Sequence, residues 1–202
     1  MKKLLLAVAV ASAISTMTRK RAHTQDISFT YRMGAGFPGD VNRTHPFNVL
    51  PGQIDTTHPV GLYGDPVILD ATSHMYRAFI AGDGAASPAL NIAGVAVRPY
   101  PTQQTTGGLT ATIGAAAVNL NQPLDVLSMG YIVVKCNNFG TNAPTKGGAV
   151  FIWCAATSGA HIQGGFEAAA SSTNTVPVAN AFWNGPTDAA GITEMSVGML
   201  QL

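Results

Sequence analysis

Charged residues are scarce in this chain. It has 202 residues, of which 11 are Lys or Arg and 10 are Asp or Glu, so 10% are charged and the net charge is +1. Ordinary soluble domains carry about 25% charged residues. The absence of a cationic surplus excludes a basic nucleic-acid binder, and the 47% hydrophobic content excludes a disordered polymer. Because a sparsely charged surface promotes association, the composition predicts a component of an assembly.

Cysteine is also scarce, since the chain has only Cys136 and Cys154. Two cysteines without a CxxC motif do not make a disulfide framework. The apolar runs at 131–136 and 149–156 flank one loop, which predicts an antiparallel hairpin with the two cysteines nearly opposite each other. That geometry would permit a disulfide. Assembly in a reducing cytosol instead favours two buried free thiols.

Motifs for catalysis and cofactor binding are lacking as well. A G-x-G-x-x-G pattern spans 34–39, but Pro38 and Pro46 leave no helix for a dinucleotide site. The five histidines show no metal-ligand spacing, and no nucleophile elbow, Walker loop or HExxH is present. Several acidic residues fall at strand ends and turns, where they bond the local backbone: Asp65, Asp70, Asp83, Asp125, Asp188 and Glu194. The sequence therefore predicts no enzyme, no catalytic residue, no metal and no cofactor.

The first 13 residues resemble a bacterial signal peptide, with two lysines, an apolar run and an Ala11-Ser-Ala13 site. The basic cluster Arg19-Lys20-Arg21 follows closely and opposes export. The run is too short to cross a membrane comfortably. We therefore favour residues 1–33 as a retained arm used between subunits. Cleavage of residues 1–13 stays open as the alternative.

Beyond the arm, the pattern is that of a β protein. Residues 34–66 are rich in Pro, Gly, Asn and Thr and are predicted to be extended and irregular. A β-domain is predicted over 67–202, from short apolar runs bounded by turn residues: 67–69, 75–80, 92–98, 131–136, 149–156, 176–183 and 192–200. This number of short strands predicts an all-β fold, a single antiparallel β-sandwich or barrel of jelly-roll type with an extended N-terminal arm.

The order of several motifs is more specific than any one of them: GFPGDVNR at 36–43, GDPV at 64–67, GVAVRPYP at 94–101, DVLSMGYIVVK at 125–135, KGGAV at 146–150, TSG at 157–159, GGFEAA at 164–169 and NAFWNGPTD at 180–188. This ordered set resembles the structural cement (head decoration) proteins of tailed bacteriophages over about residues 34–202. The resemblance implies a β-rich protein without catalytic activity that binds outside the major capsid shell as a dimer or trimer. Residues 1–33 lie outside it.

The expected function is therefore that of a virion protein on the outer capsid surface, assembled in the bacterial host cytoplasm. Its expected partners are the major capsid protein and further copies of itself, with no direct nucleic-acid contact and no membrane. Aromatic residues dominate interface hot spots, so the candidate contact residues are Phe37, Phe47, Tyr63, Tyr100, Phe166 and Trp183. Phe166 and Trp183 could equally belong to the core. The alternatives are a secreted carbohydrate-binding or adhesin-like β-domain and, with no motif in its favour, a hydrolase.

Overall fold

The fold is described from a computed structural model, which describes residues 36–43, 46–85, 92–99, 118 and 123–198. In these ranges the chain forms nine strands and two short 3-10 turns, so the predicted all-β class is confirmed. The strands are β1 (Asn48–Gly52), β2 (Pro66–Leu69), β3 (Tyr76–Arg77), β4 (Gly94–Ala96), β5 (Leu124–Asn137), β6 (Ala149–Trp153), β7 (Phe166–Glu167), β8 (Thr175–Trp183) and β9 (Ile192–Val197). The predicted arm over 1–33 lies outside the described residues.

Strand β5 has 14 residues and belongs to two sheets. Both β1 and β4 pair with it through Leu127, so they lie on its opposite edges. The first sheet continues from β4 to β2 and then to β3, with antiparallel pairing throughout. The amino-terminal half of β5 is therefore an internal strand of an open sheet, between β4 and the edge strand β1.

The carboxy-terminal half of β5 belongs to a closed ring of five strands. It pairs with β9 from Gly130 to Lys135, and the ring continues through β8, β6 and β7. Strand β7 then returns to β5 at Cys136 and Asn137 in parallel orientation. Closure leaves none of these five strands as a free edge within the ring.

The hairpin predicted between 131–136 and 149–156 is wrong, because β7 lies between β5 and β6. Cys136 pairs with Phe166 of β7, whereas Cys154 follows the end of β6. The two cysteines are therefore not cross-strand neighbours, and both are free thiols. Cys136 is buried, as predicted, whereas Cys154 is only partly buried.

The interior of the ring forms the larger of two apolar cores. Strand β5 directs alternate side chains into it, including Ile132 and Val134, and Trp183 lies fully buried opposite them. A second core lies beneath the open sheet, around Val67, Leu124 and neighbouring side chains. Side chains of β5 contribute to both cores, and their alternation is the period-two pattern of a strand with a buried face.

The segment predicted as irregular, 34–66, contains strand β1. A turn at 36–40 precedes it and is hydrogen bonded to the ring, because the Gly39 amide donates to the Val133 carbonyl at 2.8 Å. The Arg43 guanidinium makes two hydrogen bonds to Glu194 of β9 and lies 4.2 Å from the centre of the Tyr131 ring. These contacts hold the segment against the ring, although its composition predicted only turns.

Gly130 lies where β5 passes from the open sheet to the ring. Its φ is +137°, which L side chains rarely adopt. A Cβ at this position would lie 2.9 Å from the Pro46 carbonyl oxygen and 3.1 Å from the Phe47 Cβ. Glycine is therefore required here both by the backbone conformation and by the close approach of the chain before β1.

We expect Gly130→Ala to lower the free energy of unfolding by about 1–3 kcal/mol, the usual cost of a strained backbone residue. Gly140→Ala is the matched control, because no atom lies within 4 Å of a Cβ at that position. Urea denaturation of both variants measures the difference. Equal stability of the two would contradict the role assigned to Gly130.

The two thiols should also differ in reactivity. Burial raises the pKa of Cys136 to about 12, so almost none of it is thiolate near pH 8, and the thiolate is the reactive form. A disulfide reagent should therefore modify Cys154 first in the folded protein, and Cys154→Ser should remove most of the reaction. Both thiols should react in denaturant. Rapid native labelling of the Cys154→Ser variant would show that Cys136 is accessible.

Candidate contact surface

The six predicted contact residues divide into three groups in the structure. Phe37 and Phe47 are 46% and 45% exposed, and the Arg98 guanidinium lies 5.2 Å from the centre of the Phe37 ring. Tyr63 is half-buried beside the second core. Tyr100 lies outside the described residues.

Phe166 and Trp183 are core residues, which corrects their place among the contact candidates. They are 2% and 0% exposed, and their rings meet edge to face with centroids 6.5 Å apart. Both lie on strands of the closed ring, so their side chains fill its interior. The alternative that the sequence had left open for these two residues is the correct one.

A groove lies beside Tyr63, and its first wall is the turn 62–65. The Gly64 amide donates to the Ala96 carbonyl at 2.8 Å, and the Ala96 amide donates to the Asp65 carbonyl at 3.0 Å. Gly64 has a φ of +87°, and a Cβ there would lie 2.7 Å from the Pro38 Cβ. The tight turn on β4 leaves Leu62 at the rim, 47% exposed.

The second wall is the turn 161–166. His161 stacks on Trp153 with ring centroids 4.0 Å apart, and its Nδ1 lies 2.6 Å from the Oε1 of Glu167, which is buried. The Gly164 amide donates to the Trp153 carbonyl at 2.8 Å. This arrangement holds the turn and leaves Ile162 at the rim, 46% exposed.

The floor of the groove is formed by Phe79 and Phe166, with Lys135 and Asn137 of β5 at one side. Phe79 is positioned by a loop in which the Arg77 guanidinium makes two hydrogen bonds of 2.7 Å to Asp83. The cavity has a volume of about 250 Å³, below the roughly 300–1,000 Å³ typical of small-molecule sites. Its size therefore suits a side chain of another protein better than a cofactor.

Asp65 is the acidic residue of the groove. Its Oδ2 accepts a hydrogen bond of 3.0 Å from the Leu62 amide, and burial raises its pKa from the ordinary 3.8 to about 6. No basic side chain within the described residues lies within ion-pair distance of it. Among the residues that the structure describes, this partly dehydrated carboxylate therefore has no cation paired with it.

The local role predicted for this carboxylate, a hydrogen bond with the nearby backbone, is confirmed. Four of the six acidic residues predicted to bond the local backbone do so, namely Asp65, Asp70, Asp83 and Asp188. Leu62 and Ile162 were not among the predicted contact residues, although each is a large apolar residue next to a glycine-containing turn and outside any predicted strand. That placement is the signal that could have identified them.

A second exposed apolar area follows β1. Phe47 precedes the strand, Leu50 lies within it at 43% exposure, and Met129 lies opposite Asn48 on β5. Of the strands that the structure describes, β1 pairs only with β5. This area and the groove are the two candidate contact surfaces in the part of the chain that the structure describes.

Within the described ranges, no group of three or more His, Cys, Asp or Glu residues is placed to hold a metal ion. The G-x-G-x-x-G pattern ends in the turn at 36–40, and the residues that follow it up to Arg43 form no helix. A search of the same ranges for a helix long and apolar enough to cross a membrane finds none.

Comparison with known proteins identifies the family. The family model described as XM1 gp53 minor capsid protein matches residues 25–197. The chain belongs to the XM1 gp53 minor capsid protein family. The expectation of a phage capsid-associated family, which rested on the ordered motifs, is thereby confirmed.

A solved structure supports the fold. A chain of the capsid of Myoviridae phage XM1 matches with a TM-score of 0.56 and 22% sequence identity, covering 84% of this chain and 94% of that chain. At this identity the match shows a shared fold. No curated protein sequence matches the chain.

The raised pKa of Asp65 predicts a measurable effect on stability. Because its pKa is higher in the folded chain than in the unfolded chain, the folded chain binds more protons between pH 4 and 6, and stability falls as the pH rises through this window. Asp65→Asn keeps an acceptor for the Leu62 amide and removes the charge. It should raise the free energy of unfolding at pH 7 by up to about 3 kcal/mol.

Urea denaturation at pH 4.5 and pH 7 tests this, with Asp125→Asn as the control for loss of one negative charge. The increase in the free energy of unfolding caused by Asp65→Asn, relative to the control, should be larger at pH 7 than at pH 4.5. An equal increase in the free energy of unfolding at both pH values would contradict the desolvation of Asp65 that the structure indicates.

Proposed function

We propose that this minor capsid protein binds the outer surface of the major capsid shell and stabilises the head by bridging neighbouring capsid subunits. It does so without catalysis, as a homodimer or homotrimer. It is assembled in the cytoplasm of the bacterial host. The observation that carries the proposal is membership of a minor capsid protein family over most of the chain.

The surface of the described residues supports this proposal. Large apolar side chains are exposed on turns and on an edge strand, including Phe37, Phe47 and Leu62. Such groups are costly to leave in water when they cluster, and they mark protein contact sites. With only 10% charged residues in the chain, contacts with the shell would depend chiefly on apolar and backbone groups.

The energetics need no chemical step. A protein that binds the assembled shell and not its dissociated subunits stabilises the shell by mass action. A chain that spans two subunits binds each more weakly than both together, because the second contact is made at high effective concentration. A homo-oligomer matched to the shell symmetry would add further contacts of the same kind. The two free thiols fit assembly in a reducing compartment.

Particles that lack this protein should lose integrity at a lower temperature than complete particles, and adding the purified protein back should restore the difference. Release of packaged DNA, followed with an intercalating dye during heating, measures this. Identical melting of depleted and complete particles would contradict the proposal.

Phe47→Ala should weaken binding of the protein to depleted particles by about 1–3 kcal/mol, as expected for an aromatic contact. Leu69→Ala is the control, because Leu69 is 51% exposed at the end of β2 and is not among the residues that line the groove or the area beside β1. Sedimentation of particles with labelled protein gives both affinities. Equal affinities would remove Phe47 from the interface, provided that both variants melt like the original chain.

A further inference from the structure

The groove between Leu62 and Ile162 combines two features that isolated proteins avoid. Its rim exposes two large aliphatic side chains, and its lining includes Asp65, whose carboxylate has no basic side chain of the described ranges within ion-pair distance. An apolar rim favours an aliphatic partner group, whereas a dehydrated carboxylate favours a positive charge. Lysine and arginine have both, because a long aliphatic stem carries a cationic end.

We propose that the groove binds one lysine or arginine side chain of the major capsid protein, with its stem against Leu62 and Ile162 and its charge at Asp65. This inference rests on the proposed function and names the chemistry of one contact within it. The cavity of about 250 Å³ holds one such side chain. A bound cation would offset the dehydration of the carboxylate.

We assign the cation to the capsid protein rather than to a second copy of this chain, because the chain belongs to a minor capsid protein family. In the described residues, Arg43 is bound to Glu194 and Arg77 to Asp83. Arg98 lies 3.9 Å from Asp40, and Lys146 is exposed. Since Lys146 of a second copy is a competing source of the cation, self-association is measured together with particle affinity.

Lys135 also lines the groove, and a substitution there tests whether the bound group carries a positive or a negative charge. With Tyr63, it is the other titratable group in this lining. A positive charge there opposes a cationic occupant and attracts an anionic one. Lys135→Met should therefore strengthen binding of a cation, whereas weaker binding would show that the groove takes an anion and would overturn the inference.

The direct test uses the full chain and butylguanidinium as the probe, followed by NMR. The probe should shift the backbone amide signals of Leu62 and Gly164 at pH 7.5, and less at pH 5, where Asp65 is protonated. Asp65→Asn should abolish the shifts and Asp125→Asn should keep them. Absence of shifts in the original chain, or equal shifts in Asp65→Asn, would overturn the inference whether or not the protein binds capsids.

The second test measures affinity for depleted particles. Asp65→Asn should bind about tenfold or more weakly than Asp125→Asn at pH 7.5, as expected for loss of a hydrogen bond to a charged group. Equal affinities would overturn the inference and leave capsid binding intact. Binding by neither variant nor the original chain would instead contradict the proposed function. Lower self-association of Asp65→Asn in sedimentation, with unchanged particle affinity, would assign the groove to a second copy and overturn the assignment to the capsid protein.

Discussion

The two-sheet pairing of strand β5 is the constraint on which the rest of the fold depends. Its first half is an internal strand of the open sheet and its second half closes the ring. The pairing partners of β5 change at Gly130, whose φ is one that other residues adopt at a cost. Both cores and both candidate contact surfaces are positioned from this strand.

Much of the fold could be predicted, because the strands with β-branched and aromatic residues stand out from the turns between them. The runs at 67–69, 176–183 and 192–200 correspond closely to β2, β8 and β9. Strand β1 was missed because its sequence, NVLPG, contains proline and glycine, which usually mark turns. Strand β7 has only two residues and gives no periodic signal.

Pairing was harder to predict than strand position. Adjacent runs around one loop predict a hairpin, but the short β7 lies between β5 and β6 and pairs with both. The groove was hidden for a related reason. Its walls come from turns near positions 62 and 162, which only the closed ring brings together. The local hydrogen bond of Asp65 was foreseeable from its turn, whereas its burial depends on the distant wall.

The ring also affects how the chain folds during synthesis. Strand β9, which closes the ring against β5, begins at Ile192 and is therefore synthesised well after β5, which ends at Asn137. Until then the apolar stretch around Ile132 and Val134 lacks one of its two neighbours, and contacts between distant segments form slowly. The nascent chain therefore passes through a stage with an unpaired apolar strand, the kind of species that aggregates at high concentration. Its yield in the host should consequently depend on the rate of synthesis and on chaperones that bind exposed strands.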